Sequence, residues 1–238
     1  EILMNNLKKY YEKNYKKFGF KFQREYPNEE LVRFISRNFN KLRLNEKRKI
    51  KILETGCGSG GNLWMLAEQG FNSFGIDLSK SSIRLAKINL RKKKLQANLV
   101  QGDMVNLPYK NNFFNVIVDV FSSCHLTTNE GINFLDICNK KLKKNGLFFS
   151  YFPSKKSMMF KNSKNVFLDK NTLYNNSSVK TIYKIENFPF RFLSRKDYLK
   201  ILEEKNFKII HSEELTKTYF DTNDYFTFNV IEAKKVSN

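Results

Sequence analysis

Short apolar runs and helical stripes alternate along most of the chain. Apolar runs of strand length occur at residues 50–53, 72–76, 97–101, 113–120 and 147–152. Between them apolar residues recur at helical spacing, as at Leu63, Leu66 and Ala67. Because continuous apolar runs suit strands that are buried on both faces, the pattern predicts a mostly parallel, doubly wound α/β sheet of the Rossmann-like class.

The N-terminal part departs from this alternation. Residues 1–25 are rich in Lys and Tyr. Asn28 is expected to cap a helix whose apolar stripe follows at Leu31 and Phe34. We therefore expect residues 1–45 to form an N-terminal helical cap.

The C-terminal part departs from it as well. Residues 153–192 have the polar composition of a loop, and Ser194 is expected to cap a helix. Two strands that complete the sheet are then predicted at residues 207–210 and 224–232. The second of them is expected to run antiparallel to the sheet. Residues 46–238 are thus expected to form one domain that carries an insert at 153–192.

A glycine-rich turn joins the first predicted strand to its helix. Residues 52–60 read ILETGCGSG, and Asp77 ends the second strand nineteen residues after Gly58. Glycines let a ligand approach the backbone closely, and an acid at the next strand end suits ribose hydroxyls. The run fits both the dinucleotide pattern G-x-G-x-x-G and the E-x-G-x-G-x-G pattern of S-adenosylmethionine sites.

Three features favour S-adenosylmethionine over a dinucleotide. Glu54 would lie near a pyrophosphate, whereas the ammonium group of S-adenosylmethionine can use a nearby acid. Asp103 and Met104 follow the third strand, where an acid and a backbone N–H can recognise an adenine edge. Too few residues follow the fifth strand for the second half of a dehydrogenase.

Five motifs in order resemble those of the class I S-adenosylmethionine-dependent methyltransferases: ILETGCGSG, GIDLS, QGDMVNLPY, NVIVDVFSSCHL and KKLKKNGLFFSYFP. The resemblance covers residues 28–232. It implies the Rossmann-like fold of that family, S-adenosylmethionine as the cofactor, and methyl transfer as the reaction. It implies a cofactor site made of Glu54, Gly56, Cys57, Gly58, Gly60, Asp77, Leu78, Asp103, Met104, Asp119, Val120 and Phe121. In that site Asp77 would bind the ribose, and residues 119–121 would line the floor near the sulfonium.

One histidine follows the fourth strand, where the active site of this family opens. A general base is needed only if the acceptor must lose a proton, as a hydroxyl does. His125 is our candidate for that role, and an orienting role is the alternative. His211 is expected to be structural. Cysteines at 57, 124 and 138 show no metal-ligand spacing, so no metal site is expected.

The residues after the fourth strand narrow the range of acceptors. The sequence DVFSS lacks the Asn/Asp-Pro-Pro-Tyr/Phe motif of methyltransferases that act on amino groups of adenine or glutamine. The chain thus resembles small-molecule methyltransferases, in which the N-terminal segment and the insert after the fifth strand cover the acceptor. By that resemblance, the candidate acceptor contacts are Tyr11, Tyr15, Arg24, Tyr26 and Tyr151.

The expected acceptor is small, and methylation at oxygen is expected. Lys and Tyr in the covering segments suit an anionic metabolite. The segment KFGFKFQREYPNEELVRF is similar to methyltransferases of bacterial surface-polysaccharide clusters. This similarity favours a sugar or nucleotide-linked acceptor and polysaccharide modification.

The net charge keeps other functions open. The formal net charge of the chain at pH 7 is +20, since it contains 43 basic and 23 acidic residues. Such a charge is typical of proteins that bind nucleic acid, anionic membranes or anionic substrates. Lys is much commoner than Arg, although specific phosphate and base recognition relies more on Arg. An RNA methyltransferase and a non-catalytic cofactor-binding module are therefore the alternatives.

The apolar runs also bear on location. None approaches the ~20 residues that a membrane-spanning helix needs. The N-terminal residues lack the apolar core of a secretory signal. We expect a cytoplasmic protein with reduced thiols.

Overall fold

The computed structural model describes residues 2–162, 165–176 and 181–236, except for the side chain of Asn176. In these ranges the helices are α1 Ile2–Phe18, α2 Glu29–Phe39, α3 Leu44–Lys47, α4 Leu63–Glu68, α5 Lys80–Lys92, α6 Thr128–Lys141, α7 Met158–Lys161 and α8 Arg195–Glu204. The strands are β1 Lys51–Thr55, β2 Asn72–Asp77, β3 Asn98–Gln101, β4 Phe114–Val120, β5 Leu142–Pro153, β6 Asn165–Asp169, β7 Thr172–Asn176, β8 Glu186–Arg191, β9 Phe207–Tyr219 and β10 Asp224–Lys235. Two 3-10 turns cover Gly19–Phe22 and Ser123–His125.

Seven strands form one sheet in the order β3-β2-β1-β4-β5-β10-β9. Strand β1 pairs in parallel with both β2 and β4, so the winding reverses there. Strand β10 runs antiparallel to both of its neighbours, β5 and β9. The predicted Rossmann-like sheet with an antiparallel C-terminal strand is confirmed. Ligands of such sheets bind at the carboxyl ends of the strands where the winding reverses.

Local signals begin three helices, two of them, at Asn28 and Ser194, as predicted. The side chain of Asn28 accepts hydrogen bonds from two backbone N–H groups of the first turn of α2. Ser79 accepts from the backbone N–H of Ser82 at α5, and Ser194 accepts from that of Asp197 at α8. Each cap satisfies a donor that a helix start leaves unpaired, so short polar residues mark these positions in the sequence.

The core lies on both faces of the central strands. Val116, Ile117 and Val118 of β4 are fully buried. Helix α2 packs through Phe34, whose ring centre lies 5.0 Å from that of Phe149 on β5. Each such buried side chain contributes about 1.5–3 kcal/mol relative to its exposed state. This packing fixes the strand ends that carry the candidate site.

The prediction of a loop over residues 153–192 is wrong. Strands β6, β7 and β8 form a second, antiparallel sheet. Both pairings in this sheet contain register shifts, and β6 has mostly exposed side chains, so no clean alternation marks the strands. Residues 163–164 and 177–180 of the insert lie outside the described residues.

The closing strands are longer than predicted. Strand β9 spans thirteen residues and β10 spans twelve. Strand β9 lies at the edge of the sheet and carries charged residues along its length, as edge strands often do. Because of these charged residues, the sequence did not predict that β9 extends to Tyr219.

Helix α1 is present at the N-terminus and packs against α5 and β8. Its buried residues are Leu7 and Tyr15. The division into a cap at 1–45 and a domain at 46–238 stays a prediction. None of the described helices combines the length and apolarity needed to cross a bilayer.

Candidate active site

A cavity of about 510 Å³ lies at the carboxyl ends of β1, β2 and β4. This volume falls within the range of small-molecule sites, roughly 300–1,000 Å³. One end is polar and includes Glu54, Asn62 and Asp77. The other end is aromatic and is lined by side chains from α1, β4, β5, the insert, β9 and β10.

The glycine turn after β1 leaves no room for side chains. Gly56 has φ +63°, and a Cβ there would lie 2.3 Å from Cβ of Ser122. Gly58 has φ +52°, and a Cβ there would lie 2.0 Å from Oε1 of Gln23. Positive φ favours glycine at both positions, and at Gly56 the clash with Cβ of Ser122 adds a steric requirement, whereas the Gln23 side chain beside Gly58 is flexible. Cys57 between them is buried and donates its backbone N–H to the Ile76 carbonyl.

Glu54 has a buried carboxylate that is only half satisfied. Oε1 accepts a hydrogen bond from Nδ2 of Asn62, whereas Oε2 has no partner in the described part of the chain. Asn62 in turn accepts from the backbone N–H of Asn28, which links the N-terminal segment to the site. Burial raises the pKa of Glu54 to about 8, against the lowering effects of Asn62 and Arg24. A cationic group beside Oε2 would favour the ionised form.

Asp77 ends β2 and orders the surrounding turns. Oδ2 accepts from the Gly58 N–H at 2.9 Å, and Oδ1 accepts from the Ser79 N–H at 2.9 Å and the Ser82 hydroxyl at 2.7 Å. Burial raises the pKa of Asp77, although these hydrogen bonds act to lower it. A carboxylate oxygen can accept about two hydrogen bonds, so Oδ2 keeps one acceptor direction for a ligand hydroxyl.

The other predicted cofactor residues divide into two groups. Leu78, Met104, Val120 and Phe121 line the cavity together with Gly56 and Cys57. Gly58, Gly60, Asp103 and Asp119 are not among the lining residues. A Cβ on Gly60 would lie 3.2 Å from Ala86, so Gly60 lets the turn pack on α5. The Asp103 carboxylate accepts from the Val105 N–H at 3.0 Å.

Asp119 supports the floor of the cavity from behind. Its carboxylate is fully buried and accepts from the hydroxyl of Ser122 at 2.6 Å. It also accepts from the backbone N–H of Ser123 at 2.9 Å and from the hydroxyl of the same residue. Asp119 thus holds the turn that carries His125, while Val120 and Phe121 form the surface.

His125 lines the cavity and contacts a second predicted residue, Tyr11. Nε2 of His125 lies 2.7 Å from the Tyr11 hydroxyl, and Nδ1 lies 3.2 Å from the Pro189 carbonyl oxygen. Burial lowers the pKa of His125 to about 4, although the bond to Pro189 acts to raise it. Burial also raises the pKa of Tyr11 well above its usual value. Both groups are therefore neutral near pH 7.

The predicted acceptor contacts mostly reach the cavity. Tyr11, Tyr15, Arg24 and Tyr151 line it. Tyr26 does not, since it is 71% exposed and lies outside the lining. The peptide of Tyr26 runs past the glycine turn, with its carbonyl oxygen 3.5 Å from the Cβ position of Gly61, and this places its ring in solvent.

Sequence reasoning missed several lining residues of the aromatic end. They are Tyr183, Phe188 and Phe190 from the insert and Lys217, Tyr219 and Phe228 from the closing strands. The recurrence of aromatic residues between 183 and 192 was the available signal. Since the insert was predicted to be a loop, this recurrence was not interpreted as a strand.

Side chains of metal-ligating types do not cluster in the ranges that the structure describes. These ranges contain no group of three or more His, Cys, Asp and Glu side chains placed to hold a metal ion. Cys57, Cys124 and Cys138 are buried free thiols, and burial raises the pKa of each well above its usual value.

About half of the chain is similar in sequence to known proteins. Residues 52–146 match a family model described as a methyltransferase domain. Ubiquinone biosynthesis O-methyltransferase of Pelagibacter ubique is 32% identical over 123 residues, which are 50% of this chain and 50% of that protein. Sterol 24-C-methyltransferase of Schizosaccharomyces pombe is 28% identical over 122 residues, 48% of this chain and 32% of that protein. The chain thus spans half or less of the length of these relatives.

Solved structures extend the likeness to the fold. A structure of a SAM-dependent methyltransferase from Methanosarcina mazei matches with a TM-score of 0.69. It is 18% identical, and the match covers 84% of this chain and 96% of that chain. At this identity the likeness establishes the fold alone.

The polar end of the cavity fits the cofactor of that family. Oε2 of Glu54 is a buried, unpartnered acceptor that would take the ammonium group. The Tyr15 hydroxyl is also buried without a partner among the described residues, beside the position that a Cβ on Gly58 would fill. Asp77 would take ribose hydroxyls, with Leu78 and Met104 near the adenine. Residues 52–146 are thus similar to a methyltransferase domain, and the residues at the polar end of the cavity fit S-adenosylmethionine.

Proposed function

We propose that the protein methylates a hydroxyl oxygen of a small acceptor held in the aromatic end of the cavity. The observation that carries the proposal is the 2.7 Å hydrogen bond between the Tyr11 hydroxyl and Nε2 of His125. The bound cofactor supplies an activated methyl group on a sulfonium. The remaining tasks of the protein are to align the acceptor and to remove its proton.

The proton path follows from the hydrogen bonds of His125. The Pro189 carbonyl can only accept, so Nδ1 carries the ring proton and Nε2 accepts the Tyr11 proton. The oxygen of Tyr11 is then free to accept from an acceptor hydroxyl. As the acceptor gives its proton to Tyr11, Tyr11 passes its own proton to Nε2.

The low pKa of His125, about 4, sets the timing of this relay. A neutral imidazole is ready to accept at neutral pH, but it holds the proton weakly. An ordinary alcohol does not lose its proton to such a base. The oxygen becomes strongly acidic as its new bond to carbon forms, so the proton moves with bond formation.

The walls of the aromatic end suit an acceptor with a flat or apolar face. Tyr183 lies 4.7 Å from Phe121 between ring centres, and Tyr151 stacks on Phe228 at 4.3 Å. Burial raises the pKa of both Tyr151 and Tyr183, and the charge of Arg24 acts against that rise. These features support a small anionic metabolite, or a sugar or nucleotide-linked acceptor that presents a phosphate beside Arg24.

The experiment is label transfer from methyl-labelled S-adenosylmethionine into cell extract separated into small-molecule, polysaccharide, RNA and protein fractions. Label in the small-molecule or polysaccharide fraction supports the proposal. Label in RNA contradicts it and favours the RNA alternative. Cofactor binding without any transfer favours the non-catalytic module.

Substitutions test the relay with the labelled acceptor. His125→Ala is expected to lower turnover about 10²–10⁴-fold with unchanged cofactor affinity. Tyr11→Phe is expected to lower turnover in the same way, also with unchanged cofactor affinity. Tyr10→Phe is the matched control, since Tyr10 also lines the cavity on α1 but its hydroxyl does not bond His125. Equal turnover of the Tyr11→Phe and Tyr10→Phe variants would contradict the relay.

A further inference from the structure

Helices α1 and α5 concentrate positive charge. Helix α1 carries five lysines and one acid, and α5 carries five cationic residues and no acid. All ten cations are exposed: Lys8, Lys9, Lys13, Lys16, Lys17, Lys80, Arg84, Lys87, Arg91 and Lys92. Helices α6 and α8 together carry five cations and five acids. A uniformly lysine-rich composition does not produce this difference between helix pairs.

The two helices lie side by side. Near the start of α5, the Glu12 carboxylate of α1 accepts from the Ser79 hydroxyl at 2.7 Å and from the Ser81 N–H at 3.0 Å. Near its end, Nζ of Lys92 lies 5.5 Å from the ring centre of Phe20, just beyond α1. Contacts at both ends align the helices, so their charges form one surface.

The single acid of the pair is turned inward. Burial acts to raise the pKa of Glu12, but hydrogen bonds from Ser79 and Ser81 lower it to about 2. Its negative charge is thus used in joining the two helices and in an ion pair with Lys16, whose Nζ lies 3.4 Å from Oε1 of Glu12. On α1, Lys9, Lys13 and Lys16 recur at helical spacing, opposite the face that buries Leu7.

We propose that the paired outer faces of α1 and α5 dock on an anionic phospholipid bilayer. Eight of the ten cations are lysines, whose compact charges suit diffuse attraction to anionic headgroups. Ile2 is 76% exposed and lies seven residues before Lys9, on the same stripe, where an apolar side chain can enter the headgroup region. A nucleic-acid surface would favour arginines for phosphate recognition.

Docking on this face also bears on the cavity. The inner face of α1 supplies Leu7, Tyr11 and Tyr15 to the cavity lining, so the helix separates the proposed lipid surface from the site. The docking surface does not depend on the acceptor. Vesicle binding and label transfer can therefore fail independently.

The test is co-sedimentation of the full chain with vesicles of phosphatidylcholine, with and without phosphatidylglycerol. The triple variant Lys9→Glu, Lys13→Glu and Lys87→Glu is compared with a control triple variant, Lys140→Glu, Lys144→Glu and Lys196→Glu. All six lysines are exposed, and both variants have the same net charge. Cofactor affinity and thermal melting verify that both variants are folded.

Salt-sensitive binding to the anionic vesicles alone is expected for the wild type. Attraction of ~1 kcal/mol per cation corresponds to about fivefold each, so removing three cations lowers the affinity about 100-fold, and the three introduced acids should lower it further by repulsion. The control variant is expected to keep most of its binding. Absence of binding to anionic vesicles, or equal loss in both variants, overturns the proposal. Competition by RNA would also overturn the proposal, if RNA displaces the vesicles and the first triple variant binds RNA less tightly than the wild type does.

Discussion

The polar and aromatic ends of the cavity are built differently. At the polar end, Glu54 bonds Asn62 and Asp77 bonds Ser79 and Ser82, pairs that lie two to eight positions apart, and the bond from Gly58 to Asp77 spans nineteen positions. At the aromatic end, the bond between Tyr11 and His125 joins residues 114 positions apart. The difference explains why the polar end leaves a motif in the sequence while the aromatic end does not.

The largest expected effect falls on the glycine turn of the polar end. Gly56→Ala combines a left-handed backbone with a clash against the buried Ser122. Strain of about 1–2 kcal/mol and overpacking of about 1–3 kcal/mol should both lower the free energy of unfolding. Urea unfolding measures the sum. Gly19→Ala is the control, because Gly19 also has positive φ but nothing lies within 4 Å of its Cβ position. Equal losses in the two variants would show that the clash is relieved.

Asp77→Ala should weaken cofactor binding by roughly 2–4 kcal/mol, because it removes charged hydrogen bonds to the ligand and frees the turn at Gly58. Calorimetric titration with S-adenosylhomocysteine measures the loss. Asp197→Ala is the control, because Asp197 is an exposed acid in the first turn of α8. An Asp77→Ala affinity within twofold of wild type would place the ribose elsewhere.

The raised pKa of Glu54 should make the free energy of unfolding depend on pH. This pKa is raised from 4.5 to about 8, so the stabilising effect of Glu54 is complete below pH 4.5 and is lost as the pH rises through 8. In that window the free energy of unfolding should fall by up to about 1.4 kcal/mol per pH unit relative to Glu54→Gln. Urea unfolding of both proteins across this range measures the difference. A constant difference would mean that Glu54 has the same pKa in the folded and unfolded states.

The smallest expected effect tests the aromatic end. Tyr183→Leu removes ring contacts to Phe121 and Phe190 that are worth about 0.5–1.5 kcal/mol each. The KM for the acceptor should rise severalfold while the cofactor affinity stays unchanged. Phe160→Leu alters the same insert outside the cavity and should leave both unchanged. A loss of cofactor affinity in Tyr183→Leu would break the distinction between the two ends.

Much of the polar end could be predicted because its causes are local. Positive φ at Gly56 and Gly58 favours glycine, and the caps at Asn28 and Ser79 use a short polar side chain within three residues of its donors. Each requirement restricts a residue type at a fixed position. Asp119 shows the limit, since its position was predicted while its role in holding the His125 turn was not.

The sequence by itself determined the sheet class, the glycine turn and the acids beside it, since strand burial, backbone conformation and capping act over a few residues. Tertiary structure alone decided that Tyr11 pairs with His125, that the insert forms a sheet and that α1 lies along α5. These contacts join distant segments. Their stability is distributed over many packing interactions, so no residue type at a single position predicts them.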